Sequence, residues 1–206
     1  MTKVTTENAR EKLIQAGVDQ FRYAGFVATT VDEICASAGV TKGAFFHHFQ
    51  SKEALAKACL QQWSRQFAEF QKSAPYHSVA DPLEKLLRAI DFFADMFVNP
   101  QASKSCLVGT TVQEISETHP ALRQTAQECF ASGARQFEAL LADASRDRGV
   151  ALDTASLAQM WMATIQGSLL LYKASRDESV IPTNLRHFSK YVETLFANKP
   201  AASGKM

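Results

Sequence analysis

Glycine and proline are scarce, 9 and 6 in 206 residues. So few turn formers leave little room for the closely spaced turns of an all-β sandwich. Long apolar runs are missing as well. The longest, around Leu169-Leu170-Leu171-Tyr172, falls far short of the roughly 18–20 residues that span a bilayer, so no membrane partner is expected. Charge of one sign is not in excess: 22 Lys+Arg stand against 21 Asp+Glu, a formal net of +1. That excludes a wholly basic coat for nucleic acid but not a small basic face, because phosphate binding depends on local contacts. Cysteine is sparse, and Cys35, Cys59, Cys106 and Cys129 each stand alone. With no CxxC pair or Cys/His cluster, neither a zinc site nor a disulfide framework is expected, and the thiols read as small buried apolar groups. The first residues carry no apolar signal-peptide core, which predicts a cytoplasmic chain.

The usual marks of catalysis are missing too. There is no GxGxxG or GxxxxGK[ST] phosphate cradle, no GxSxG elbow and no HExxH. Glu114, Glu117 and Glu138 each lack the histidine three residues on that a di-iron bundle needs. His47 and His48 are adjacent, about 100° apart on a helix, and cannot chelate one ion. No catalytic residue, metal or cofactor is therefore expected, and the chain does not read as an enzyme.

Nearly all of the sequence carries a helical period. Ala9, Leu13, Ala16, Phe21 and Ala24 recur at three- and four-residue steps, predicting a first helix over 6–24 stopped by Gly25. Thr30 and Thr41 then cap two short helices, 31–37 and 42–49, joined by Ala38-Gly39-Val40-Thr41. Two such helices around a Gly-bearing turn are the pattern of a helix-turn-helix. Longer helices follow at about 52–73, 82–98, 103–117, 120–148, 153–174 and 182–197, separated by proline- or glycine-marked breaks. The expected fold is all-α with about nine helices. A three-helix helix-turn-helix domain (1–51) precedes a larger helical-bundle domain (52–198), and a flexible tail (199–206) closes the chain.

From Ile34 to Lys52 there is no acidic residue, while Lys42, His47, His48 and Lys52 supply donors. On a helix starting at Lys42, Phe45 and Phe49 face inward, leaving Lys42, Gly43, Ala44, Phe46 and His47 outward or at the N-terminal side. Small side chains at Gly43 and Ala44 let that end approach a groove wall.

The run from Thr30 through Thr41-Lys42-Gly43-Ala44-Phe45-Phe46-His47-His48-Phe49 to Leu55 resembles the DNA-binding signature of the tetracycline-repressor (TetR) family, and Ala16, Phe21, Gly25, Phe26 and Thr29 fit its first helix. The likeness covers about residues 8–60; beyond it only the helical architecture is similar. The resemblance implies that Thr30, Thr41 and Lys52 contact phosphates and that Lys42, Gly43, Ala44 and His47 face base edges. Phe46 stands where the pattern has tyrosine, which removes a hydroxyl donor and leaves an apolar contact to a thymine methyl as the alternative. His48 either reaches phosphate or braces the helix end.

A single short recognition helix specifies little, so such modules act as symmetric dimers on palindromic sites. The seam is expected on the last two helices, through Leu157, Trp161, Leu169, Leu185, Phe188, Val192 and Leu195. A small-molecule effector pocket is implied by the resemblance. Its candidate lining is Trp63, Phe67, Phe93, Met96, Cys106, Thr110, Gln113, Glu114, Trp161, Met162 and Gln166, apolar positions with a few polar groups to orient a ligand. Cys106 also opens a helix, where anions are favoured, and is a candidate thiol sensor of electrophiles. The sequence thus points to a homodimeric regulator, expected to be a repressor with an activator as the alternative, released from double-stranded operator DNA by an effector of unknown identity. The alternative is a helical small-molecule-binding protein with Cys106 as its reactive group.

Overall fold

The computed structural model describes residues 3–99 and 104–197. Among them run nine α-helices and no strand: α1 (Lys3–Tyr23), α2 (Val31–Ala38), α3 (Lys42–His48), α4 (Lys52–Lys72), α5 (Pro82–Val98), α6 (Leu107–Ile115), α7 (Pro120–Arg148), α8 (Thr154–Ser175) and α9 (Val180–Ala197). A short 3-10 turn, Pro75–Ser78, separates α4 from α5. Expected and observed helices correspond one to one. The tail expected at 199–206 lies outside the described residues.

Packing divides the chain into two compact units, Met1–Glu69 with Ser105–Ala131 and Phe70–Lys104 with Ser132–Met206. The division does not fall at the expected 51/52 boundary. Three helices in about fifty residues bury little apolar surface by themselves, and here they share their core with later helices. In the first unit Leu13, Ile14 and Phe21 of α1, Ile34 of α2 and Phe45 of α3 share a core with Leu55 and Leu60 of α4. Leu107 and Ile115 of α6 and Leu122 of α7 complete it.

Helices of eight and seven residues do not persist alone in water, and α2 and α3 depend on their ends. Thr30 and Glu33 form a reciprocal capping box at the start of α2. Gly39 ends that helix with φ 64°, a left-handed turn that a side chain would resist. The Thr41 hydroxyl accepts from the Ala44 amide at 3.1 Å and opens α3.

In the second unit, Asp81 caps α5 through the Glu84 amide at 2.8 Å, with Pro82 at the first helical position. Its other oxygen pairs with Arg148 at the end of α7. The core is aromatic: Trp161 stacks on Phe137 (centroids 4.6 Å apart) and meets Phe93 and Phe188 at 5.5 and 5.3 Å.

That cluster corrects the expected dimer seam. Trp161, Leu169, Leu185, Phe188 and Val192 are all buried inside this unit, where α9 packs against α5 and α8. A side chain with no accessible surface has none to give a partner. Leu157 and Leu195 are half-buried. The exposed apolar positions of α8 and α9 are instead Met160, Leu170, Leu171 and Tyr191.

Candidate nucleic-acid interface

Each of the three helices around the helix-turn-helix supplies part of one surface in the first unit. Phe45 of α3 is fully buried and Phe49 nearly so, which turns Lys42, Gly43, Phe46 and His47 outward, with Ala44 half-buried. Phe46 is 52% exposed, its ring edge-on to Phe45 at 5.1 Å. A large apolar side chain is thus left in water on the outward face of α3. Gly43 has open space around it: an added Cβ would meet nothing nearer than the Thr41 hydroxyl at 3.8 Å.

Lys42 is exposed but engaged, its Nζ 2.9 Å from Oδ1 of Asp32 on α2. Surface pairs of this kind contribute little and exchange readily, so Lys42 can leave Asp32 for a stronger acceptor. Asp32 stands ten residues upstream of Lys42, a spacing that carries no sign of this pairing in the sequence. Arg10 on α1, also unforeseen, lies with its guanidinium 5.3 Å above the Phe49 ring. His48 is half-buried, its ring edge-on to His47 at 4.9 Å. Burial first, then the neighbouring His47 and Arg10, pushes its imidazole down from the usual value, toward the neutral form.

Two of the three expected phosphate ligands are committed elsewhere. The Thr30 amide and hydroxyl both donate to Glu33 Oε2, at 2.7 and 2.8 Å, and these bonds hold the Glu33 carboxyl below its ordinary range. Lys52 points inward. Its ammonium donates to the Phe26 and Thr29 carbonyls at 2.7 Å each, with Val27 O at 3.4 Å, and sits 4.4 Å over the Phe26 ring. Partial burial lowers its pKa, an effect that Glu114 and Glu33 offset in part. Lys52 is therefore a clasp on the turn 25–29. The likeness that suggested a phosphate contact could not report a side chain folded back by some 25 residues. Thr41 differs, because its hydroxyl only accepts within the cap and its proton remains to give.

The candidate effector residues divide between the units: Trp63, Phe67, Cys106, Thr110, Gln113 and Glu114 belong to the first, and Phe93, Met96, Trp161, Met162 and Gln166 to the second. Phe93 and Trp161 are core, and Met96, Met162 and Gln166 are half-buried. Gln113 and Glu114 are exposed, which removes them from a buried lining. Gln113 donates back to the Gly109 carbonyl at 2.8 Å. Glu114 Oε2 accepts the Val27 amide at 2.8 Å. Cys106 N-caps α6, and its thiol makes no capping bond. Close to it is an unforeseen group, Arg22, whose guanidinium lies 4.4 Å over the Trp63 ring and donates through Nε to Ser105 Oγ at 3.2 Å. Arg22 Nη2 is buried without a hydrogen-bond partner. Burial lowers the Arg22 pKa, while Asp19 and Cys106 oppose that. Among the described residues no cluster of His, Cys, Asp and Glu could hold a metal, and no helix is long and apolar enough to cross a membrane.

Two capped short helices on a shared core, with small, basic and apolar side chains turned out along the second, define a helix-turn-helix DNA-binding protein. Residues 13–59 match the family described as bacterial regulatory proteins of the tetR family, and residues 82–188 match a tetracyclin repressor-like C-terminal domain. The chain belongs to the tetracycline-repressor family and is a ligand-responsive transcriptional regulator. It is similar to the transcriptional repressor DhaR of Mycobacterium sp. strain GP1, 26% identical over 170 residues, 82% of this chain and 84% of that one. Among solved structures it resembles the reduced form of E. coli NemR (21% identity, TM-score 0.77, 88% of this chain and 95% of that one). It also resembles a TetR regulator of Chloroflexus aurantiacus (21% identity, TM-score 0.80, 92% and 96%).

Proposed function

We propose that the chain is a homodimeric repressor whose two α3 helices enter major grooves about 34–36 Å apart, one DNA turn, on a palindromic operator. The observation that carries this reading is the outward face of α3, with Lys42, Gly43, Phe46 and His47 exposed and no acidic residue between Ile34 and Lys52. In this assignment Lys42, Gly43, Ala44 and His47 meet base edges and Phe46 a thymine methyl. Thr41 gives its proton to phosphate, and neutral His48 braces the helix end. Engagement requires Lys42 to exchange Asp32 for the DNA.

For the dimer we assign the exposed face of α8. Ser156, Met160, Ala163, Gly167, Leu170 and Ala174 recur at four- and three-residue steps, all exposed and all uncharged. Gly167 has open space around it in the protomer, so a bulky residue there spares the protomer and obstructs only a partner. Gly167→Trp is expected to give a folded monomer by sedimentation that no longer binds operator; a dimer of wild-type affinity would remove this seam.

For the effector we assign the first-unit residues Trp63, Phe67, Cys106 and Thr110 beside Arg22. A second reading of the effector, favoured by Cys106 lying uncapped beside the Arg22 guanidinium, is an electrophile that adds to the thiol. The DNA-binding claim is tested by a gel shift on a duplex selected from a random-sequence library: failure of the wild-type dimer to select any sequence in dilute buffer would overturn it. The effector reading is tested by iodoacetamide, expected to release operator from the wild type but not from Cys106→Ser.

A further inference from the structure

Glu114 lies in the last turn of α6, yet its carboxylate serves the turn between α1 and α2. Oε2 accepts the Val27 amide at 2.8 Å, and Oε1 stands 2.0 Å from where a Cβ on Gly25 would be. Gly25 has φ +92°, a backbone conformation that favours glycine, and a Cβ there would displace the Glu114 carboxylate. Lys52 collects the carbonyls of the same turn, and the Thr29 hydroxyl closes it onto the Gly25 carbonyl at 2.6 Å. The turn Gly25–Thr29 is thus held between an anion that takes its amide and a cation that takes its carbonyls. It runs directly into Thr30, the cap of α2, and so sets where α2 and α3 begin.

Stability alone does not account for this arrangement. Val27 is 65% exposed and Glu114 is exposed, so water could satisfy the amide in its place. What water cannot do is fix the turn to α6. We propose that Glu114 is a positioning residue for operator recognition: by holding the Val27 amide it ties α6 to the helix-turn-helix and makes operator affinity depend on where α6 stands. Cys106 caps α6 about 12 Å from Glu114 along the axis at 1.5 Å per residue, so this carboxylate gives a displacement there a polar route to the turn beside the core that Phe26 and Ile115 share. The proposal rests on the DNA-binding reading above.

The experiment uses the full-length protein and the duplex that the wild type selects from a random-sequence library. Glu114→Ala, and Glu114→Asp with its shorter reach, are expected to lower the ratio of selected to random duplex affinity about tenfold, within the usual range of coupling. Glu114→Gln keeps an acceptor at the same reach and is expected to stay within about twofold of wild type. Binding of the selected duplex should slow amide exchange across 107–115 in the wild type and Glu114→Gln, and not in Glu114→Asp. An unchanged ratio in Glu114→Asp, or a Glu114→Gln as impaired as it, overturns the proposal, as does the same exchange response in all variants. A wild type that selects no duplex would overturn the DNA-binding reading instead, so the two failures are told apart.

Discussion

The two units of this chain are held by different means. In the first, helices of eight and seven residues stay in place through caps and charged clasps: Thr30 with Glu33, Thr41 with Ala44, Lys52 on three carbonyls, Glu114 on the Val27 amide. In the second, helices of seventeen to twenty-two residues and the later part of α7 close over stacked aromatics, with Trp161 at the centre of Phe93, Phe137 and Phe188. Polar pins are directional and hold short elements at defined angles. Aromatic packing is bulkier and holds long helices by the area it buries. A surface that must match a groove calls for the first kind.

The largest effect that would break this contrast is expected in the second unit. Trp161→Ala removes the hub of the aromatic cluster and should destabilise by about 3–5 kcal/mol, measured by urea unfolding. A loss below about 1 kcal/mol would mean that the cluster is not what holds this unit.

Lys52→Met tests the first unit. Losing charged hydrogen bonds to carbonyls should cost about 2–3 kcal/mol of stability. The salt dependence of binding to random DNA should stay unchanged. A salt slope lower by about one unit would return Lys52 to the phosphates.

Acid should weaken the cap that opens α5 in the second unit. Its Asp81 carboxyl is held below the usual carboxylate range by the Glu84 amide and then by Arg148. A group whose folded pKa is depressed contributes stability above its unfolded value, about 3.9, and loses it as pH falls through the folded one. Thermal midpoints between pH 6 and 3 should fall less steeply in Asp81→Asn than in wild type; parallel curves would exclude this capping pair as the acid-sensitive element.

The smallest effect is expected at Phe46. Phe46→Tyr adds a hydroxyl to a ring assigned to a thymine methyl and should weaken the selected duplex by a few-fold while leaving random duplexes unchanged. Tightening of both alike would place the ring at a phosphate instead.

Local signals made the first unit legible. Thr30, Gly39 and Thr41 announce the ends of α2 and α3 within a few residues of chain, and the inward pair Phe45 and Phe49 fixes which side of α3 faces out. What stayed hidden was long-range. Glu114 meets Val27 across 87 positions, and no periodicity in α6 records that. Helical period was misleading in α8 and α9 for a related reason. It identifies an apolar stripe but not what covers it, so Leu185 and Val192 read as a seam between protomers although α5 and α8 bury them. The weaker stripe of α8, broken by Ala163 and Gly167, was the one left uncovered.

Gly43 carries a consequence for how such a protein changes its target. Glycine inside a helix forgoes about 0.5–1 kcal/mol relative to alanine, and here no neighbour in the protomer asks for it. On the DNA-binding face proposed above, larger residues there are expected to strengthen the helix while altering how deeply it seats, so binding preference can change at Gly43 without any compensating change in the core.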